Sequence, residues 1–136
     1  MKPVMQTVTG LRGNCLSACI ASLMEISIEE VPNFHEGIGH KVPQDDPEGV
    51  KIFWKNVMNF LYANGYSLVH LDASEGSETL THLKGYYLVG GESPRGYQHA
   101  VIYHNGKLAH DPHPEGGGVV AETVSIIYPL FEGKKQ

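Results

Sequence analysis

The chain has few of the groups that usually announce a function. It holds two cysteines, Cys15 and Cys19, one tryptophan, Trp54, and only 18% charged residues. Two cysteines four positions apart on a helix are poorly placed for a disulfide, so two reduced thiols and a reducing compartment are expected. With no second pair, they make no zinc finger and no disulfide framework. No like-charge run exceeds the Lys134-Lys135 pair, and the net charge is −5, which argues against nucleic acid or an anionic membrane as partner. No apolar stretch is long enough to span a bilayer. Residues 1–6 carry no apolar signal-peptide core, so cytoplasmic residence is expected. Repeats and low-complexity segments are also missing. What remains is a chain of 136 residues, 41% hydrophobic, read as one domain over 1–136. Such a length buries about two-thirds of its unfolded surface and folds without metal or disulfide.

The local patterns predict an α+β fold with helices first and strands after. Asn14 is suited to cap a helix beginning at Cys15, with Leu16, Cys19, Ile20, Leu23 and Met24 as its core stripe. Ser27 and Glu30 have capping-box spacing before a short turn ended by Pro32. Residues 33–46, rich in Gly, Pro, His and Asp, read as a long surface loop bordering a cleft. Asp46 and Pro47 open a second helix, carried by Val50, Phe53, Trp54, Val57, Met58 and Leu61 and stopped at Asn64-Gly65. The Phe53, Trp54 and Phe60 rings fit a buried stripe. Strands are expected at 66–71, 86–90, 99–104, 107–111 and 123–128, with a short helix over 77–83, and the strands form an antiparallel meander. Loop 91–96 is expected to flank the cleft, and 114–118 reads as a linker.

Three residues carry the chemistry. A thiol is nucleophilic as thiolate, and an ordinary cysteine has a pKa of about 8.5. A helix N-terminus lowers it, and a contacting histidine takes the proton. Cys15 has the helix start, His99 is the candidate base and Asp111 the candidate orienter. An ion pair of Cys15 with His99 would let alkylation persist well below the ordinary cysteine pKa. The hairpin supplies a geometric condition. A two-residue Asn105-Gly106 turn sets His99 opposite Pro112 and sends Asp111 to the other face. A three-residue loop, 104–106, sets His99 opposite Asp111, so the triad predicts that loop. Asn105 is the alternative orienter. The Cys15 N–H and the Gln6 side chain are candidate oxyanion donors, with Asn14 a weaker one. Each residue also has a plainer reading: Cys15 as a packed apolar group, His99 as a structural strand residue, Asp111-Pro112 as a turn. A metal site grouping His110 and His113 with Asp111 is a further alternative.

The segments Gly-Asn-Cys-Leu-Ser-Ala-Cys at 13–19, Gln-His-Ala-Val-Ile-Tyr at 98–103 and His-Asp-Pro-His-Pro at 110–114 resemble papain-fold cysteine peptidases. The likeness is to the small bacterial and phage group that includes bacteriocin-leader-processing peptidases. That resemblance implies a papain-like fold, with Cys15 as nucleophile, His99 as base, Asp111 as orienter and Gln6 as oxyanion donor. Gln6 lies nine residues before the cysteine, where papain-type enzymes place it about six before. The implied activity is a thiol protease or isopeptidase, a hydrolase acting on a peptide or protein amide through a thioester, with no cofactor and no metal. Acyl transfer or deamidation, as in transglutaminase-like folds, uses the same triad. A peptide-binding module without turnover is the reading from another class.

Overall fold

The computed structural model describes residues 1–38, 46–73 and 79–131. The first helix, α1, spans Cys15–Met24 and buries an unbroken run from Leu16 to Ser22. Its small Ala18, Cys19 and Ala21 let it lie close to the sheet. It stops at Glu25, whose left-handed φ of 59° ends the helix and whose carboxylate takes the N-terminal ammonium at 2.8 Å. Asn14 holds the N-cap position but makes no side-chain cap bond. Its Oδ1 instead accepts from the Thr7 and Val8 N–H groups at 3.0 and 2.9 Å, fastening the loop before the helix. The Ser27–Glu30 spacing acts as read: Glu30 reaches back to the Ser27 N–H at 3.0 Å around the 3₁₀ turn Ile28–Glu30.

The second helix, α2, covers Pro47–Ala63, with Pro47 in its first turn and Val57 and Leu61 fully buried. Of the 33–46 loop, residues 39–45 lie outside the described residues. Its first part is not a surface loop, because Phe34 is 1% exposed and packs edge-on against Phe53 and Phe60. No helix among the described residues is long and apolar enough to cross a membrane.

Among the described residues five antiparallel strands follow: β1 (Tyr66–Asp72), β2 (Tyr86–Glu92), β3 (Gln98–His104), β4 (Lys107–His110) and β5 (Val120–Pro129). The short helix α3 (Thr79–His82) lies between β1 and β2, and positions 77–78 of its expected span are outside the described residues. The order across the sheet is β1-β5-β2-β3-β4. The expected simple meander therefore holds only for β2-β3-β4. The last strand returns to fill the gap between β1 and β2, pairing β1 along its whole length and β2 from Leu88 to Glu92 across a bulge at Gly90/Gly91. Alternation sends Leu68, Leu88, Ala100, Ile102 and Ile127 toward α1 and α2. It sends Tyr87, Val89, Val101 and Val124 to the other face, under Leu80 and Leu83. The fold is thus α+β, two long helices on one face of a five-stranded sheet.

The β3–β4 hairpin departs from the expected three-residue loop. His104 pairs with Lys107, so the turn is the two-residue Asn105-Gly106, with φ values of 52° and 88°. Both residues are left-handed, as a type I′ turn requires. That turn alone would put Asp111 on the wrong face. The register then slips: Tyr103 pairs with Leu108, but Ile102 pairs with His110, leaving Ala109 as the extra residue of a bulge. One extra residue reverses every side chain beyond it. Asp111 is carried to the face that His99 uses, by a bulge rather than by a longer loop.

Candidate active site

Cys15 is the first residue of α1, half-buried, at the mouth of a cavity of about 380 Å³ between α1, α2 and the sheet. The helix is pinned to β3 by Cys19, whose Sγ meets the Ala100 carbonyl at 3.5 Å. Cys15 lies against the same residue, since Ala100 backbone hydrogen bonding acts on its thiol. Ala100 directly follows His99. The nucleophile candidate and the base candidate are therefore one strand residue apart, both on the cavity wall.

His99 and Asp111 are joined at 2.7 Å, Nε2 to Oδ1, with side chains 2% and 7% exposed. Asp111 Oδ1 also accepts the His113 N–H at 2.9 Å, and Oδ2 accepts the Gly118 N–H at 2.8 Å. Burial would push this carboxyl up, yet the His99 bond and the two N–H donors hold it below the usual carboxylate range. It is an ionised acceptor at neutral pH. It therefore takes the Nε2–H of His99 and leaves Nδ1 as the free ring nitrogen. Burial lowers the His99 pKa more than Asp111 raises it, with Arg95 and His113 adding to the lowering. The imidazole is neutral at pH 7.

The Cys15 thiol is pushed up by burial, although backbone bonding from Ala100, Leu16 and its own residue lowers it in part. No hydrogen bond links Cys15 to His99 among the described residues. Burial thus favours the neutral thiol at Cys15 and the neutral imidazole at His99. Cys19, fully buried, is pushed up much further by the same cause.

The 114–118 stretch is not a linker. Gly116, Gly117 and Gly118 have φ values of 64°, 94° and 66°, a left-handed run that only glycine adopts without strain. It curls the chain so that Gly118 donates to Asp111, while Arg95 Nη1 holds the Gly116 carbonyl at 2.9 Å. Tight turns forced by three glycines beside a candidate acid were a readable signal.

Gln6 is buried, its backbone N–H bonded to the Pro112 carbonyl at 3.0 Å and its Nε2 donating to the Val8 carbonyl at 2.9 Å. It sits under Gly13, where a Cβ would come within 3.2 Å of Gln6 Nε2 and 2.7 Å of the Val8 carbonyl. Gln6 is not on the cavity wall. Asn105, the alternative orienter, stays at the turn tip, its Oδ1 accepting from Gly85 N at 2.7 Å.

The metal alternative loses its ligands to other partners. His110 Nε2 bonds the Val4 carbonyl at 2.8 Å, and His113 Nδ1 accepts the Glu115 N–H at 3.0 Å. Among the described residues no group of three or more His, Cys, Asp or Glu is placed to hold a metal ion.

The cavity also gathers residues that the sequence had assigned elsewhere. Phe53 and Trp54, expected in the core, are only partly buried and form its wall, their rings edge-to-face at 5.3 Å. His70 of β1, itself exposed, stands at the far end, with Ser125 Oγ on its Nδ1 at 2.6 Å and Trp54 against its ring at 4.2 Å. Alternation from buried Leu68 was the signal that put His70 on this face. Loop 91–96 contributes nothing to the wall; Gly90 of β2 does.

Compared with known proteins, the chain matches no family model, no curated protein and no solved structure.

Proposed function

We propose that this chain is a cysteine hydrolase with a papain-like fold that cleaves a peptide or protein amide through a Cys15 thioester. The observation that supports it best is the buried His99–Asp111 pair at 2.7 Å, one residue from the Ala100 contact of Cys15. Carboxylate on Nε2 leaves Nδ1 as the proton acceptor, the role a base needs. Because thiol and imidazole are both neutral at rest, proton transfer accompanies attack. Sγ bonds to the carbonyl carbon as its proton passes to His99 Nδ1, and Asp111 stabilises the imidazolium so formed. The carbonyl oxygen becomes the oxyanion, held by the Cys15 N–H at the helix start. The imidazolium returns its proton to the leaving amine, and the thioester remains. Water, activated by His99, then releases the acid. An amine in place of that water gives acyl transfer, and a side-chain amide in place of the main chain gives deamidation.

The raised thiol pKa and the missing Cys15–His99 bond favour a second reading, a peptide-binding module with this fold and no turnover. One experiment separates the two. The protein is screened against a library of fluorogenic peptide amides and thioesters, quenched in acid and weighed intact. An acyl adduct mapped to Cys15, absent in Cys15→Ala and reduced at least a hundredfold in rate in His99→Ala, is the expected result. Binding without any adduct on any substrate supports the module and sinks the hydrolase.

A further inference from the structure

We propose that the cavity behind Cys15 is a side-chain pocket for an aromatic residue of the acyl donor, with tyrosine preferred to phenylalanine. This rests on the hydrolase reading for its biological sense, but the pocket itself stands on geometry. Cys15 and His99 lie at the β3 end of the cavity and His70 at the β1 end. Three strand spacings separate β3 from β1 in the sheet order, roughly 14 Å across. Side chains reaching in from both ends shorten that span to the length of one large residue. The floor is Leu88 and Gly90, and the wall is Phe53 and Trp54.

Charge decides what enters. Among the described residues no Asp, Glu, Lys or Arg lines the cavity, so a charged guest would find no opposite charge among them. Shape decides next. Phe53 and Trp54 already meet at 83°, and a third ring completes an edge-to-face cluster that an aliphatic chain cannot match. Gly90 keeps the floor low: a Cβ there would come within 2.9 Å of Thr123 Oγ1. The far end then adds a polar preference. Ser125 Oγ is 4% exposed at the residue level and is tied to His70 Nδ1, a pair that both donates and accepts toward a phenol hydroxyl. Because the pair is satisfied without a guest, the preference for tyrosine is modest.

Trp54 is the only tryptophan in the chain, so its emission reports this cavity alone. The Cys15→Ala protein, which cannot turn over, is titrated with acetyl-Gly-X-Gly-amide peptides, where X is Tyr, Phe, Leu, Arg or Asp. The expected result is that Tyr and Phe shift Trp54 emission and bind at least tenfold tighter than Arg or Asp, with Leu between. Ser125→Ala is expected to remove a three- to tenfold Tyr-over-Phe preference, read as the ratio of the two affinities in the same variant. A second readout uses the unmutated protein, where the same Tyr peptide must slow iodoacetamide labelling of Cys15. Equal binding of all five peptides, tighter binding of Arg or Asp, aromatic binding without an emission change, or no binding at all overturns the pocket. The hydrolase reading fails separately. Aromatic peptides that bind but never acylate Cys15 leave the pocket and remove the enzyme. Turnover indifferent to aromatic residues leaves the enzyme and removes the pocket.

Discussion

Replacing Asp111 with asparagine changes one atom at the point where the His99 strand, the His113 turn and the glycine run meet. The carboxylate accepts three bonds, from His99 Nε2, His113 N and Gly118 N. Asparagine keeps one acceptor oxygen and brings an NH₂ group. If that oxygen serves His99 and His113, the NH₂ faces the Gly118 N–H, and a buried donor loses its partner. Such a loss costs about 1–3 kcal/mol. The higher cost of breaking a buried ion pair, about 3–5 kcal/mol, does not apply, because His99 is neutral at pH 7. The expected destabilisation is therefore about 2 kcal/mol at pH 7. For a domain of this size that is a fall in Tm of roughly 8 °C. Urea unfolding, followed by Trp54 emission, reads it as a lower midpoint at unchanged slope. The pH dependence gives the sharper test. Asp111 has a depressed folded pKa, so its contribution is present above the unfolded value near 3.9 and fades as pH falls through the lower folded value. Asparagine does not titrate, so the gap between the two proteins should close in acid. A gap under about 0.5 kcal/mol at pH 7, or one that widens as the pH falls, would refute the three-acceptor account.

Other consequences follow from the same geometry. Burial raises the Cys15 thiol, so iodoacetamide labelling of the free protein should climb only at or above the ordinary cysteine range near 8.5, with Cys19 silent. Fast labelling at pH 6 that disappears in His99→Ala would instead establish the ion pair. His35, His70 and His99 are all held low by burial, so the unfolded chain binds more protons just below pH ~6.5. Stability is full above that value and declines below it, and a Tm that rises between pH 6.5 and 5.5 contradicts the assignment. A Cβ at Gly91 would run into the Val120 carbonyl, so Gly91→Ala should cost about 3 kcal/mol in urea unfolding; a neutral substitution would mean the β2–β5 bulge is not packed as described. Gly118→Ala should cost about 1 kcal/mol or more for its left-handed φ of 66°. It should also loosen the Asp111 side chain, seen as a lost protected His99 ring proton by NMR.

How much of this was legible depended on the range of the signal. Helix α2 is legible in its bounds because Pro47, its period and its Asn64 stop are local signals, although Asp46 holds the N-cap position without a side-chain cap bond. The start of α1 was readable, but not the task of Asn14, since the Thr7 and Val8 N–H groups that claim it belong to a loop with no period. Strand positions came from alternation, whereas the place of β5 between β1 and β2 did not. Ladder partners are chosen by long-range burial, which local pattern does not encode. The Gly, Pro and His around Phe34 predict a loop there, yet one ring can be buried without any periodic company. The Phe53 and Trp54 rings were correctly placed on the apolar face of α2, but a face pattern does not tell a filled core from a cavity wall.

The candidate site shows why its three residues could be named while its construction could not. Cys15, His99 and Asp111 stand out by residue type and order; what brings them together is distributed along the chain. The first six residues act as a seam. Lys2 N and Val4 N bond Ser22 of α1 at 3.0 and 2.8 Å. Val4 O accepts from His110 Nε2 at 2.8 Å, and the Gln6 N–H donates to Pro112 O at 3.0 Å. The segment thus ties the helix that begins at Cys15 to the strand end next to Asp111. From the other side, Cys19 ties the same helix to β3 at Ala100. The bulge at Ala109 then chooses the face of Asp111, and the glycine run holds its second oxygen. None of these links involves the three residues' own functional atoms until the last one. A change at Val4, Ser22 or Ala109 should therefore disturb the His99–Asp111 geometry from a distance, without touching either residue.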